Sequence, residues 1–529
     1  MTDKKSWKEK QAERQKKQQS SEQARKKRRD AKAKKSQSRL PSKKVLLTIS
    51  LIAIVIGAVL VWFLSVETFS TIYIRSDGTV EPSSAALNNL GDNRYVFTAD
   101  IFGSIVVERD NLVIDGADYV LHGDVDANST GILLTERSNV TVANLKLDNF
   151  MYGIFLNSST NIVLSSNYVT TQYGVGFDSS RYNTVIDNVF TDCEGAILFA
   201  VSANNTILNN RLENNNYGVN LDYGSSNNTI SGNTISESQA GIFLDKASNN
   251  NSVYNNNLDD NEQAIAVSQS SDNRIVGNVI TDSEGAITLT YSSNNQISDN
   301  NLIGSTYSIG LSYNSKSNDV QSNNIKNSKT GVGLAYFSDD NNIVANVIEG
   351  TTEAIVLDNS TGVSITENLI TGCEGALGLS YSSDNHIANN NITNNDYGFS
   401  LISESDFNTI HANTIVNSEV AIGIQESLSN QIKGNIIDEN GYGIYMNTTS
   451  SNIIYNNNFL NNTNQVFTTE SYTNLWDDEI LGRGNYWSDY ETLYPYAEEL
   501  DESETWNTPY TIDQYNQDDH PLMQPINSS

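Results

Sequence analysis

Apolar residues recur along this chain in two short patterns, each returning every 21 to 23 residues. The first is a small residue followed by two apolar positions with a variable one between them. Examples begin at Gly241 (Ile242, Leu244), Ala286 (Ile287, Leu289) and Ala354 (Ile355, Leu357). That alternation predicts a strand with one face buried. It starts fifteen times, from Gly131 to Gly443. The second pattern sets asparagine two residues ahead of an apolar residue, twice in succession. Asn228 precedes Ile230 and Asn233 precedes Ile235; Asn273 precedes Ile275 and Asn278 precedes Ile280. The second asparagine forms a comb through Asn233, Asn256, Asn278, Asn300, Asn323, Asn390, Asn413 and Asn435.

A unit this small cannot bury its own apolar face, so the units must stack. Both combs keep one period, which predicts an all-β parallel β-helix solenoid of about fifteen 22-residue coils. At roughly 4.8 Å per stacked strand these would build a rod of about 70 Å. The aligned asparagines would form a ladder, each amide bonding the next, a structural role. A longer repeat lies over the coils. Glu194, Glu284 and Glu374 are 90 residues apart, as are Tyr217, Tyr307 and Tyr397, so three four-coil blocks look like copies of one ancestor.

Residues 45–64 hold no charge and are almost wholly apolar. As a helix they would span roughly 30 Å, the thickness of a bilayer core. Residues 1–44 hold 18 of the 32 Lys and Arg but only 5 of the 63 Asp and Glu, a net of +13. Everything after the span is net −44. The positive-inside rule then predicts a single-pass membrane protein with a cytoplasmic amino terminus and an extracellular β-helix. The expected organisation is a basic tail (1–44), a transmembrane helix (45–64), a juxtamembrane segment and amino-terminal β cap (65–130), coils (131–460) and an aromatic capping module (461–529). The acidic outer part is unsuited to nucleic acid. Sequons such as Asn204, Asn227 and Asn250 make it a candidate glycoprotein.

The carboxy-terminal segment has its own signature: Asn474, Trp476 and Asp477, then the run Gly484 to Asp489 and Tyr490, then Tyr510 and Leu522. With the coils, these residues resemble NosD-like right-handed parallel β-helix repeat proteins, and in particular archaeal-type cell-surface members with this carboxy-terminal module. Such modules often carry an Asp- and Gly-rich stretch; here residues 491–507 contain no glycine. Trp476, Tyr486, Trp487 and Tyr490 are large enough to plug the last coil, and they are read as capping residues.

The resemblance also implies copper, but the chain offers few soft ligands. It has 4 His, 4 Met and 2 Cys, all scattered; His386 and His411 lie on neighbouring coils, and Cys193 and Cys373 eight coils apart. No metal site and no cofactor is evident, and calcium is the one cation the acidic surface suggests. Asp222 and Asp245 are the best candidate catalytic pair. Each lies four residues past its coil start on adjacent coils, about 5 Å apart if stacked, the separation used by retaining glycosidases. The leading reading is a non-enzymatic surface rod binding glycans, cations or neighbouring surface proteins. A glycan-active hydrolase or lyase, and a copper-related accessory protein, are the alternatives.

Overall fold

The structure is a computed structural model, and it describes residues 69–124, 129–478, 480, 482–500 and 503–526. The basic tail and the apolar span lie outside the described residues. Among the described residues no helix is long and apolar enough to cross a membrane.

The chain winds into a right-handed parallel β-solenoid of about 17 turns. Each coil has one long strand and two short ones. Tyr217–Asp222, Thr229–Ser231 and Thr234–Ser236 make one coil. The next coil repeats them in register, with Val219 beside Ile242, Ile230 beside Val253 and Ile235 beside Leu258. The long strand buries two apolar residues and each short strand buries one. Stacked isoleucine, leucine and valine columns make up most of the core, with rings such as Phe177, Phe190 and Phe399 among them. The six-residue strands form the long face of the rod.

Corners need a residue in the left-handed region, and Asn and Gly adopt it at the least cost. Asn227 (φ 57°), Gly232 (φ 65°) and Glu237 (φ 51°) hold three corners of one coil. This accounts for the composition: a short coil spends much of its length turning.

Turning also buries backbone N–H groups, and asparagine satisfies them. The Asn300 Oδ1 atom accepts from Asn278 N at 2.9 Å and from Asn278 Nδ2 at 3.0 Å. Asn278 Oδ1 accepts in the same way from Asn256. The ladder runs on through Asn323, Asn390, Asn413 and Asn435 to Asn457 and Asn485. The first asparagine of each pair builds a second ladder, as where Asn295 N meets Asn318 Oδ1 at 2.8 Å. A serine column does the same at another corner, with Ser270 N donating to Ser292 Oγ at 3.2 Å. Cys193 and Cys373 are buried and free, on a fourth corner column. Burial pushes the Cys193 thiol up to about 11.

The turn count corrects the expected fifteen. Two more long-face strands, Ser70–Ile74 and Ile101–Val107, stack ahead of Thr130–Thr135. Asn464–Thr469 follows the last regular coil. The first two escape the comb because longer connections separate them. The last has Gln465 where the comb has a small residue.

The last coil ends under stacked aromatic rings. Trp487 lies flat on Phe459 at 4.3 Å, and Tyr510 lies flat on Trp487 at 4.1 Å. Trp476 packs at 6.1 Å from Trp487, and Tyr490 stacks on Trp506 at 5.1 Å. Trp476, Trp487 and Tyr490 are buried. Tyr486 is half-buried, and its backbone pairs with Asn458.

Candidate ligand-binding face

Asp222 ends its long strand and Asp245 follows the next one, so the register sets them on one corner. Lys246 sits between them. Its Nζ is 2.9 Å from Asp222 Oδ2 and 3.7 Å from Asp245 Oδ2, and 4.3 Å above the Tyr223 ring. The Asp222 hydrogen bond holds this lysine above the usual lysine range. Both carboxylates therefore share a cation.

The histidines do not converge. His386 pairs across the sheet with Thr409 and His411 with Ala388, so they occupy different columns of adjacent coils. Among the described residues no group of three or more His, Cys, Asp or Glu could hold a metal ion. The sequons Asn204, Asn227 and Asn250 stand exposed on three successive coils, at φ 57° to 58°.

The strongest surface feature is on the long face. In its central outward column a stretch of mostly small residues lies between two aromatic positions. Phe243, stacked on Tyr217 of the adjoining column at 6.2 Å, borders it on one side, and Tyr445, stacked on Phe467 at 5.3 Å, borders it on the other. Between them the column runs Ala266, Thr288, Gly310, Gly333, Val356, Gly378, Ser400 and Gly423. A Cβ on Gly378 would meet nothing within 4 Å, and one on Gly333 only the Thr330 methyl at 3.4 Å. The missing side chains leave a hollow of about 330 Å³ over Gly310 and Gly333. Tyr307, Lys329 and Glu353 form one wall; Ser312, Ala335 and Asp358 form the other.

A tyrosine rail borders the second wall. Tyr291, Tyr313 and Tyr336 each follow the last residue of a long strand. Their rings stack at 5.5 and 4.7 Å, the latter pair only 11° from parallel. Each ring remains about half exposed. Each backbone is in the left-handed region, at φ 52°, 52° and 56°, a place most corners give to small or polar residues. A bulky residue held there points to a demand beyond turning the chain. Sequence reasoning missed the rail. Its signal was a tyrosine repeatedly followed by small polar residues at the coil period, as at Tyr291 and Tyr381.

Residues 258–400 and 312–492 match the model of the family described as periplasmic copper-binding protein (NosD). Residues 130–280 match that of the right-handed β-helix region. Over these stretches the chain is similar to NosD and to right-handed β-helix proteins, and its parallel β-solenoid agrees with both. No curated protein matches it. Among solved structures, a periplasmic alginate epimerase is similar at 14% identity and TM-score 0.35, over 65% of this chain and 80% of the other. An α-1,3-glucanase catalytic unit from Streptomyces thermodiastaticus is similar at 16% identity and TM-score 0.37, over 52% and 61%. An alginate lyase is similar at 13% identity and TM-score 0.37, over 48% and 80%. Among the described residues no cluster of three or more His, Cys, Asp or Glu offers a copper site.

Proposed function

We propose that this protein is a membrane-anchored rod whose hollowed long face binds an uncharged glycan chain outside the cell. The observation that carries the reading is the tyrosine rail beside the hollow. Stacked, half-exposed rings offer flat apolar edges with hydroxyls, the mixture that suits a sugar's apolar faces and polar rim. Walls of serine, threonine, lysine and acid supply hydrogen bonds. The net charge of −44 beyond the span disfavours polyanions, so a neutral polymer fits better than a polyuronate. The charge-free stretch 45–64 and the +13 tail support the anchor and its direction. The carboxy-terminal rings suit the cap of an archaeal-type surface rod. Hydrolysis or lysis at Asp222 and Asp245 fits poorly, because Lys246 is ion-paired to both and offsets one of their two charges.

The test uses the solubilised full chain in gels containing a neutral unbranched glucan or alginate, with and without calcium. The glucan should retard the parent and alginate should not. Tyr313→Ala, and Gly333→Leu, which fills the hollow, should each weaken retardation about tenfold. A parent that runs unretarded in glucan, or variants that match it, would overturn the reading.

A further inference from the structure

The floor of the hollow does not end at Gly333. Past Val356 the central outward column goes on through Gly378, Ser400 and Gly423 before Tyr445 borders it. A Cβ on Gly423 would meet only Phe399 O at 3.6 Å and Val420 Cγ1 at 3.9 Å, and one on Gly375, at the side, only Thr352 O at 4.0 Å. Both walls go on as well. One passes from Glu353 by Gly375 to Tyr397, the other from Asp358 to Ser380. Tyrosines come back with them. Tyr381 follows the strand Gly375–Ser380 as Tyr291 follows Gly285–Thr290, and it is 56% exposed. Tyr397 opens its strand as Tyr307 does. Tyr291 and Tyr381, Tyr307 and Tyr397, and Gly333 and Gly423 are each 90 residues apart. That distance is four coils, about 19 Å along the rod at roughly 4.8 Å per coil. The copy is thinner than the original. Ser403 and Glu426 stand one block beyond Tyr313 and Tyr336, so only Tyr381 continues the rail there.

We propose that the hollow and its continuation are one channel for a chain laid along the rod, held firmly over Gly310 and Gly333 and more weakly over Gly378 and Gly423, so that its ligand is a long glycan and not a short oligosaccharide. The proposal rests on the glycan-binding reading above. The walls give the direction. Each is one strand position repeated from coil to coil, so both run parallel to the rod axis. A chain laid across the coils would have to climb over the tyrosine rail. One laid along them meets no floor side chain larger than valine from Ala266 to Gly423. Those seven coil steps make a floor about 34 Å long. Once a chain is held over one part, its contact with the other is intramolecular and costs little further freedom. A fragment too short to reach both parts forgoes that gain.

The test titrates the solubilised full chain with end-labelled fragments of a neutral unbranched glucan, read by fluorescence anisotropy. Fragments longer than about 34 Å when extended should bind about tenfold more tightly than those under about 19 Å. A longer fragment also offers more registers to a single site, so the variants decide. Gly378→Leu fills the far part, where a Cβ has no neighbour within 4 Å. It should remove most of the length advantage and leave the short fragments unchanged. Tyr381→Ala should weaken the long fragments alone, by about threefold. Gly333→Leu should weaken both lengths. Should Gly378→Leu fail to fold, Tyr381→Ala carries the same comparison. A parent that binds both lengths equally, or long-fragment binding that is unchanged in Gly378→Leu and Tyr381→Ala, overturns the channel and leaves the glycan-binding reading standing. A parent that binds neither length removes that reading, and the channel falls with it.

Discussion

The rod and its carboxy-terminal cap bury polar groups by opposite means. In the rod one solution is copied at every level: the Asn300 oxygen serves Asn278, and the Asn323 oxygen serves Asn300. In the cap every solution is used once. Trp487 Nε1 needs Asp518, the Tyr490 hydroxyl donates to Thr508 O at 2.5 Å, and the Tyr510 hydroxyl needs Asp489. Repetition spreads the cost of an error over neighbours that share the same geometry. A junction of single-use contacts concentrates it.

The comparison is sharpest at Trp487. Trp487→Ala removes a ring packed between Phe459 and Tyr510 and should cost about 3–5 kcal/mol in urea melts. Gly484→Ala follows at about 3 kcal/mol, the upper end of overpacking costs. Its Cβ would fall 1.8 Å from the Asp518 carboxylate, which N–H groups of Asn485, Trp487 and His520 hold in place. In the rod, Asn278→Ala or Asn300→Ala should cost about 1–3 kcal/mol, because the adjoining rungs keep unpaired polar atoms. If those losses match that of Trp487→Ala, the cap is not the more concentrated region. Thr288→Ala, on the outer surface with one hydrogen bond to Gln263 Oε1, should change stability by under about 0.5 kcal/mol. Smallest of all, Asp222→Asn should lower the thermal midpoint slightly by releasing Lys246, and Asp245→Asn should lower it less. A rise in either variant would mean that repulsion governs the corner after all.

Legibility followed the same division. The coils and the asparagine comb are plain because errors in one repeat are corrected by the next. Ser270 and Ser292 form a column that is just as regular, yet serine is so frequent here that its spacing does not stand out. Ser70–Ile74 and Ile101–Val107 are ordinary coil strands hidden by irregular connections. The closeness of Asp222 and Asp245 follows from the period, but Lys246 between them depends on a left-handed corner at φ 48°. Tyr291, Tyr313 and Tyr336 were concealed for the same reason: a tyrosine one residue beyond a strand reads as loop until the corner turns it onto its neighbour. The Asp518 junction joins residues from three separated stretches, and no spacing announces it.

The four-coil block gives the molecule an adjustable length. Excising residues 174–263, one block of 90 residues, would bring Asn167 onto Asn278 in place of Asn188 and leave both ends of the chain untouched. Unequal recombination between blocks could thus lengthen or shorten the protein in whole steps without redesigning either terminus. The length of the long face becomes a heritable quantity that selection can set by copy number, independently of whatever that face holds.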